Sequence, residues 1–292
     1  MYHKSLSYRI SYSIIVTVLC LMALLCVLPM FHILAVSFSG KAPTSANLVR
    51  FWPIDFTLDA YYKTFGNAQF GRALYISVIR TIGGVVIGMI LCLITAYPLS
   101  KPAGTFRGKN MYTWFFVFTM LFSGGLIPVY IVMRQFHLLN TIWVLILPTA
   151  VNVWNIILML NFFRNIPREL EEAAVVDGAS QYRTLFQIFV PISMPSIVTL
   201  SLFTLVGHWN SWFDGMIYMT QPNNWPLATL LQSIIVQVDL SRMSLDPHAL
   251  NDISDRTVKA AQIFIGSLPI LAVYPFLQRF FIKGMVIGAV KE

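Results

Sequence analysis

Apolar runs of bilayer-spanning length alternate along this chain with short polar stretches, and every Lys, Arg, Asp and Glu lies outside the runs. The runs cover approximately 10–36, 81–100, 111–133, 138–163, 188–213 and 260–278. A hydrocarbon core of about 30 Å takes roughly 20 apolar residues in a helix, whereas the strands of a membrane barrel are shorter and alternate. The pattern therefore predicts an all-α integral membrane protein with six transmembrane helices, forming a single transmembrane domain over residues 1–292. Long outer loops are expected at about 37–80 and 220–259.

Composition agrees with the pattern. The 292 residues are 57% hydrophobic and only 11% charged, far from the quarter of charged residues usual in soluble domains. The first run follows Lys4 and Arg9 and is followed by the small-x-small triplet Ala35-Val36-Ser37. Its apolar part is about twice the length of a signal-peptide core, so it reads as a retained first helix. Cys20, Cys26 and Cys92 all lie in apolar runs without pairing or metal-ligand spacing, and read as small buried hydrophobes.

Lys and Arg in short loops set the orientation. With the N-terminus inside, Lys4, Arg9, Lys101, Arg107, Lys109, Arg164, Arg168, Arg183, Arg279, Lys283 and Lys291 are internal, against Arg134 alone in the short outer loop. Both termini and the 164–187 loop are thus expected in the cytoplasm. The net charge of +8 is a matter of topology, with no basic cluster pointing to nucleic acid.

The outer loop at 37–80 is rich in aromatics, suited to lying on the membrane surface or packing over the helices. Arg80 opens the second run and is expected to snorkel to the outer interface. Gly83, Gly84 and Gly88 make a small-residue face of the kind that lets helices approach closely. Ser123-Gly124-Gly125 and Pro128 are expected to kink or break the third helix, and freed carbonyls there must face protein or water.

Amides in hydrocarbon need partners, so Asn152 and Asn155 in the fourth run face other helices or a wet cavity. The fifth run ends in His208-Trp209-Asn210-Ser211-Trp212-Phe213-Asp214. Flat rings beside Asn, Asp and His suit sugar faces and hydroxyls, and the same residues also suit an interfacial Trp belt with a solvated Asp214. His208, Trp209, Asn210, Trp212 and Asp214 join Asn152 and Asn155 as substrate-pathway candidates. Beyond this, Leu227 to Val238 reads as a short surface helix and Asp239 to Arg256 as an exposed loop.

The densest polar island is Pro167 to Pro195. Pro167 suits a first helical turn, Glu169, Glu171 and Glu172 sit where the helix dipole favours acids, and Gly178 stops the helix. The stretch predicts a short helix at about 168–178 with Leu170, Ala173, Ala174 and Val175 as small apolar contacts. A bare connector is one reading; insertion into a pocket of another protein is the other. Phosphate-loop, zinc-protease, Cys-x-x-Cys and serine-elbow motifs do not occur, so no catalytic role is expected of this chain.

Glu172-Ala173-Ala174, three residues, Gly178, nine residues, then Ile188-x-Val190-Pro191 resembles the E-A-A-x3-G-x9-I-x-L-P signature of permease subunits of bacterial ABC importers, with Val190 in place of Leu. The flanking text and the ending R-F-F-I-K-G-M-V-I-G-A-V-K-E resemble the smaller permease of carbohydrate importers of the maltose-transporter type, including a subgroup serving acidic oligosaccharides such as alginate. The resemblance implies a cytoplasmic coupling helix between helices 4 and 5, docked on an ATPase subunit through Glu169, Glu171, Glu172, Ala173, Ala174, Asp177, Gly178 and Arg183. It further implies a second, different permease, two ATPase subunits carrying ATP and Mg, and an extracytoplasmic solute-binding protein. That protein would be contacted from the second outer segment through Asp239, Arg242, Asp246, His248 and Asp252. The expected location is a bacterial inner membrane, with no cofactor in this chain. An importer permease for another solute remains open; an ion-coupled transporter would show repeated halves and intramembrane acids.

Overall fold

The computed structural model describes residues 6–102, 104–243 and 256–289, and among the described residues every regular element is helical. Two compact units are formed, Met1–Gly71 with Leu231–Leu268 and Arg72–Leu230 with Pro269–Glu292.

In the first unit, helix α1 (Leu6–Ser37) is followed by the short helices α2 (Lys41–Ser45) and α3 (Asp59–Gly66). Leu, Ile and Met on α1 are exposed almost all round. A helix apolar on every face needs an apolar medium or a partner around it. Near its end Ala35 and Val36 pack with Val49 and Ala260, while Phe38 stacks on Phe56 and Tyr61. The aromatic loop is thus partly folded back, although Trp52 stays 82% exposed.

The second unit is built around α4 (Ala68–Ser100), which starts well before the expected Thr81. Three helices are long and apolar enough to cross a membrane: Ile10–Ser37, Ala68–Ser100 and Arg256–Val273. The last belongs to α14 (Arg256–Ala289), which continues through Pro269 and Pro275. The other three runs pass the same test only as bent pairs. Helices α5 (Lys109–Leu121) and α6 (Leu126–Gln135) meet at 114°. The break falls at the expected glycines, with Gly125 at φ 87°, a conformation that side chains disfavour.

The fourth run differs from a continuous helix. It forms two 3-10 turns, Ile142–Leu145 and Leu147–Thr149, and then α7 (Val153–Arg164), bent by 49°. Pro148 lacks the N–H that a continuing helix requires, and Asn152 caps the restart by accepting from the Asn155 amide at 3.1 Å. The island follows as α8 (Arg168–Val176) and α9 (Gln181–Thr184), a π turn Leu185–Phe189 and α10 (Val190–Ile192). An 83° bend separates Gln181–Ile192 from α11 (Met194–Asn210). Helix α12 (Phe213–Tyr218) and α13 (Leu227–Met243) complete the order. The core of this unit joins Met89, Cys92, Ala96 and Tyr97 of α4 to Ile156, Met159 and Phe163 of α7 and Leu185 and Phe189 of the π turn.

Candidate functional site

Two places in the second unit gather the polar chemistry. The first is a cavity of about 400 Å³ lined by Arg80, Gly88, Thr149, Ala150, Asn152, Trp154, Asn155, Phe203, Thr204, Gly207, His208 and Ser211. Arg80 and Gly88 are eight residues apart on α4, and Thr204, Gly207, His208 and Ser211 follow the i, i+3, i+4, i+7 spacing of one helix face. Asn155 Nδ2 donates to Thr204 Oγ1 at 3.0 Å, which satisfies an amide that is otherwise buried. A Cβ on Gly84 would collide with the His208 ring. The absence of a side chain there is what lets the imidazole lie against α4.

Arg80 does not snorkel. It is 1% exposed, its guanidinium pairs with Asp214 and donates to the Ser211 carbonyl at 2.9 Å. Asp214 is fixed in turn by the Ser211 hydroxyl and the Gly215 amide. A charge this deep requires such a counter-ion, so the solvated Asp214 of the belt reading is corrected to a half-buried partner of Arg80. Of the pathway candidates, Asn152, Asn155 and His208 line the cavity. Trp209 is buried and Asn210 and Trp212 are exposed, none of them in the lining. Arg80, Trp154 and Thr204 were missed as lining residues, although the Thr204 to Ser211 spacing was present in the sequence.

The second place is the island. Asp177 caps α8, and Gly178 at φ 75° turns the chain into Ser180, whose hydroxyl caps α9. Only glycine enters that left-handed region at no steric cost. Lys101, just past α4, reaches Glu171 Oε1 at 2.6 Å and lies over the rings of Tyr97 and Phe189 at 3.9 and 4.4 Å. Those rings and Phe163 contact one another edge to face. Tyr97 also donates its hydroxyl to Gln181 Oε1 at 2.9 Å. Burial pushes the Lys101 ammonium below the ordinary lysine range, and Glu171 acts in the opposite direction.

These ties sort the coupling candidates. Glu171 is turned to Lys101 and Ala174 is buried, whereas Glu169, Glu172, Ala173, Asp177, Gly178 and Arg183 are exposed. Val176 beside them is 87% exposed and Val175 and Leu170 are also open. The free face of α8 is therefore a mixed acidic and apolar surface. Asp239 and Arg242 fall on the backbone of α13 rather than in a loop, and Asp246, His248 and Asp252 lie outside the described residues.

Residues 71–287 match the family described as the binding-protein-dependent transport system inner membrane component. The chain belongs to that family. Among its relatives, Protein LplC of Bacillus subtilis strain 168 is 40% identical over 265 residues, covering 91% of this chain and 89% of LplC. The polygalacturonan/rhamnogalacturonan transport system permease protein YtcP of the same organism is 38% identical over 278 residues, covering 94% and 95%. A solved bacterial ABC transporter involved in the import of the acidic polysaccharide alginate has a chain that superposes with a TM-score of 0.86 at 29% identity, over 96% of this chain and 100% of that one. The protein is thus a permease component of binding-protein-dependent transport, a family of transporter subunits rather than of catalysts.

Proposed function

We propose that this permease forms half of the translocation pathway of an ATP-driven ABC importer for a carbohydrate, in the bacterial inner membrane. The observation that carries the reading is the short helix Arg168–Val176 with its exposed Glu172 and Ala173 and the left-handed Gly178, in a chain of this family. In this reading the chain spans the bilayer six times, each bent pair counting as one span, with both termini and α8 in the cytoplasm.

The partners follow from the same reading. The free face of α8 docks on one of two ATPase subunits, which carry ATP and Mg; a second, different permease supplies the other half of the pathway. An extracytoplasmic binding protein delivers the cargo. The exposed apolar faces of α1 and α5 suit lipid or the second permease. Closure of the ATPase pair moves α8, and the chain passes that motion to α11 through the π turn and to α4 through Lys101 and Tyr97, a rigid-element transmission.

The cargo we propose is an acidic oligosaccharide. YtcP and the alginate transporter are both named for uronic acid polymers, and the 400 Å³ cavity combines an indole, amides and hydroxyls of the kind that read sugars. Reconstituted with its partners in proteoliposomes, the permease is expected to support ATP-dependent uptake of labelled oligogalacturonate or oligoalginate in preference to maltooligosaccharides. Uptake of the neutral sugars alone would remove the acidic class, and uptake of neither would remove carbohydrate.

A further inference from the structure

The wall around the Lys101–Glu171 pair encloses a second cavity, of about 620 Å³, whose charged lining is Lys101, Lys109, Arg164, Arg168, Glu171 and Glu172. That volume falls within the roughly 300–1,000 Å³ of small-ligand sites. Four cations against two carboxylates leave the lining with a net charge of 4 − 2 = +2.

The cations are fixed by the ends of separate elements. Lys101 follows α4, Lys109 is the first residue of α5, Arg164 the last of α7 and Arg168 the first of α8. Of these four cations only Lys101 has an acid within ion-pair distance among the described residues. The Lys109 ammonium donates to the Lys101 carbonyl, and Lys109 and Arg164 are close enough for their charges to repel. Helix α5 begins at Lys109 with no side-chain cap and no acid in its first turn. Its free amides and positive dipole end thus add to the same field.

Like charges held together without a counter-ion are unfavourable in a partly enclosed site, and among the described residues no acid lies within ion-pair distance of Lys109, Arg164 or Arg168. We propose that this cavity is an anion site that takes a phosphate group. Lys109 and Arg164 are its main ligands, the guanidinium offering a forked pair of donors. The group could arrive on a phospholipid, since basic pockets between membrane helices take anionic head groups, or as a free phosphate.

The test uses the assembled transporter, wild type and with Lys109→Gln and Arg164→Gln together. Each is equilibrated with vesicles of phosphatidylcholine alone, of phosphatidylcholine with phosphatidylglycerol, or of phosphatidylcholine with radiolabelled inorganic phosphate. Retained lipid and phosphate are counted by native mass spectrometry and by label. Wild type is expected to retain one of the two anions, and the double variant, which lacks both main ligands, to bind it at least about tenfold more weakly. The charge-preserving pair Lys109→Arg and Arg164→Lys is expected to keep binding, which separates loss of ligands from loss of fold. Retained phosphatidylglycerol identifies a lipid head group and retained phosphate a free anion. Retention of neither, or retention indifferent to the double substitution, overturns the proposal.

Discussion

Lys101 Nζ lies 2.6 Å from Oε1 of Glu171, and this contact joins the end of α4 to the helix that bears the exposed acidic face. Glu171→Ala leaves a buried ammonium without its counter-ion, at a cost of about 1–3 kcal/mol. The unfolding temperature of the purified protein is expected to fall accordingly. Adding Lys101→Met is expected to restore part of the loss, because an apolar chain can rest on Tyr97 and Phe189 without a partner. Additive losses in the double variant would show that the two residues do not act as a pair.

Gly178 has a φ of 75° and nothing within 4 Å of a Cβ placed on it, so substitutions there act on the backbone alone. A side chain in the left-handed region costs about 1–2 kcal/mol, less for Asn than for other residues. ATP-dependent uptake is expected to decline in the order Gly178, Asn, Ala, Val. A valine variant with full uptake would show that this turn is not needed for coupling.

Arg80 serves two acceptors, Asp214 and the Ser211 carbonyl. Arg80→Lys keeps the charge but replaces a planar fork by a point donor. Its thermal stability is expected between those of wild type and Arg80→Ala. Asp214→Asn, which strands the guanidinium, is expected to cost about 3 kcal/mol. A lysine variant as stable as wild type would mean that the Ser211 contact contributes nothing.

The glycines of α4 are not equivalent. A methyl on Gly84 meets the His208 ring, whereas one on Gly88 finds the Ala150 carbonyl at 3.4 Å, an ordinary contact. Gly84→Ala is expected to displace His208 from the cavity wall and lower uptake several-fold, while Gly88→Ala stays close to wild type. Equal effects would reduce both to general helix packing.

How far the fold could be read in advance depended on whether its cause was local. The apolar runs, the break at Gly124-Gly125 and the helix from Arg168 ending at Gly178 each follow from residues within a turn or two. Arg80 and Asp214 are 134 residues apart, and no local pattern joins them, so the sequence suggests snorkelling for the one and leaves the other between a pathway residue and a solvated belt residue. Arg80, inside α4, makes the apolar run look shorter than the helix is. The fourth run is charge-free but turns 3-10 around Pro148, and the π turn Leu185–Phe189 falls mostly ahead of the fifth run; hydropathy marks neither because it does not encode backbone hydrogen bonding. The polar string from His208 to Asp214 was read as one cluster, whereas the helix turns His208 and Ser211 toward the cavity and Asn210 away from it.

In the function proposed above, α8 carries energy from separate ATPase subunits into this permease. The decisive measurement is ATP-dependent oligosaccharide uptake in proteoliposomes holding the assembled transporter, with Glu172→Lys and Gly178→Pro combined in this chain. The substitutions reverse the charge of the exposed face and impose φ near −65° where the turn needs a positive value. Uptake is predicted to fall to background while the purified variant keeps its helical content. Uptake at the wild-type rate would contradict the coupling role of α8.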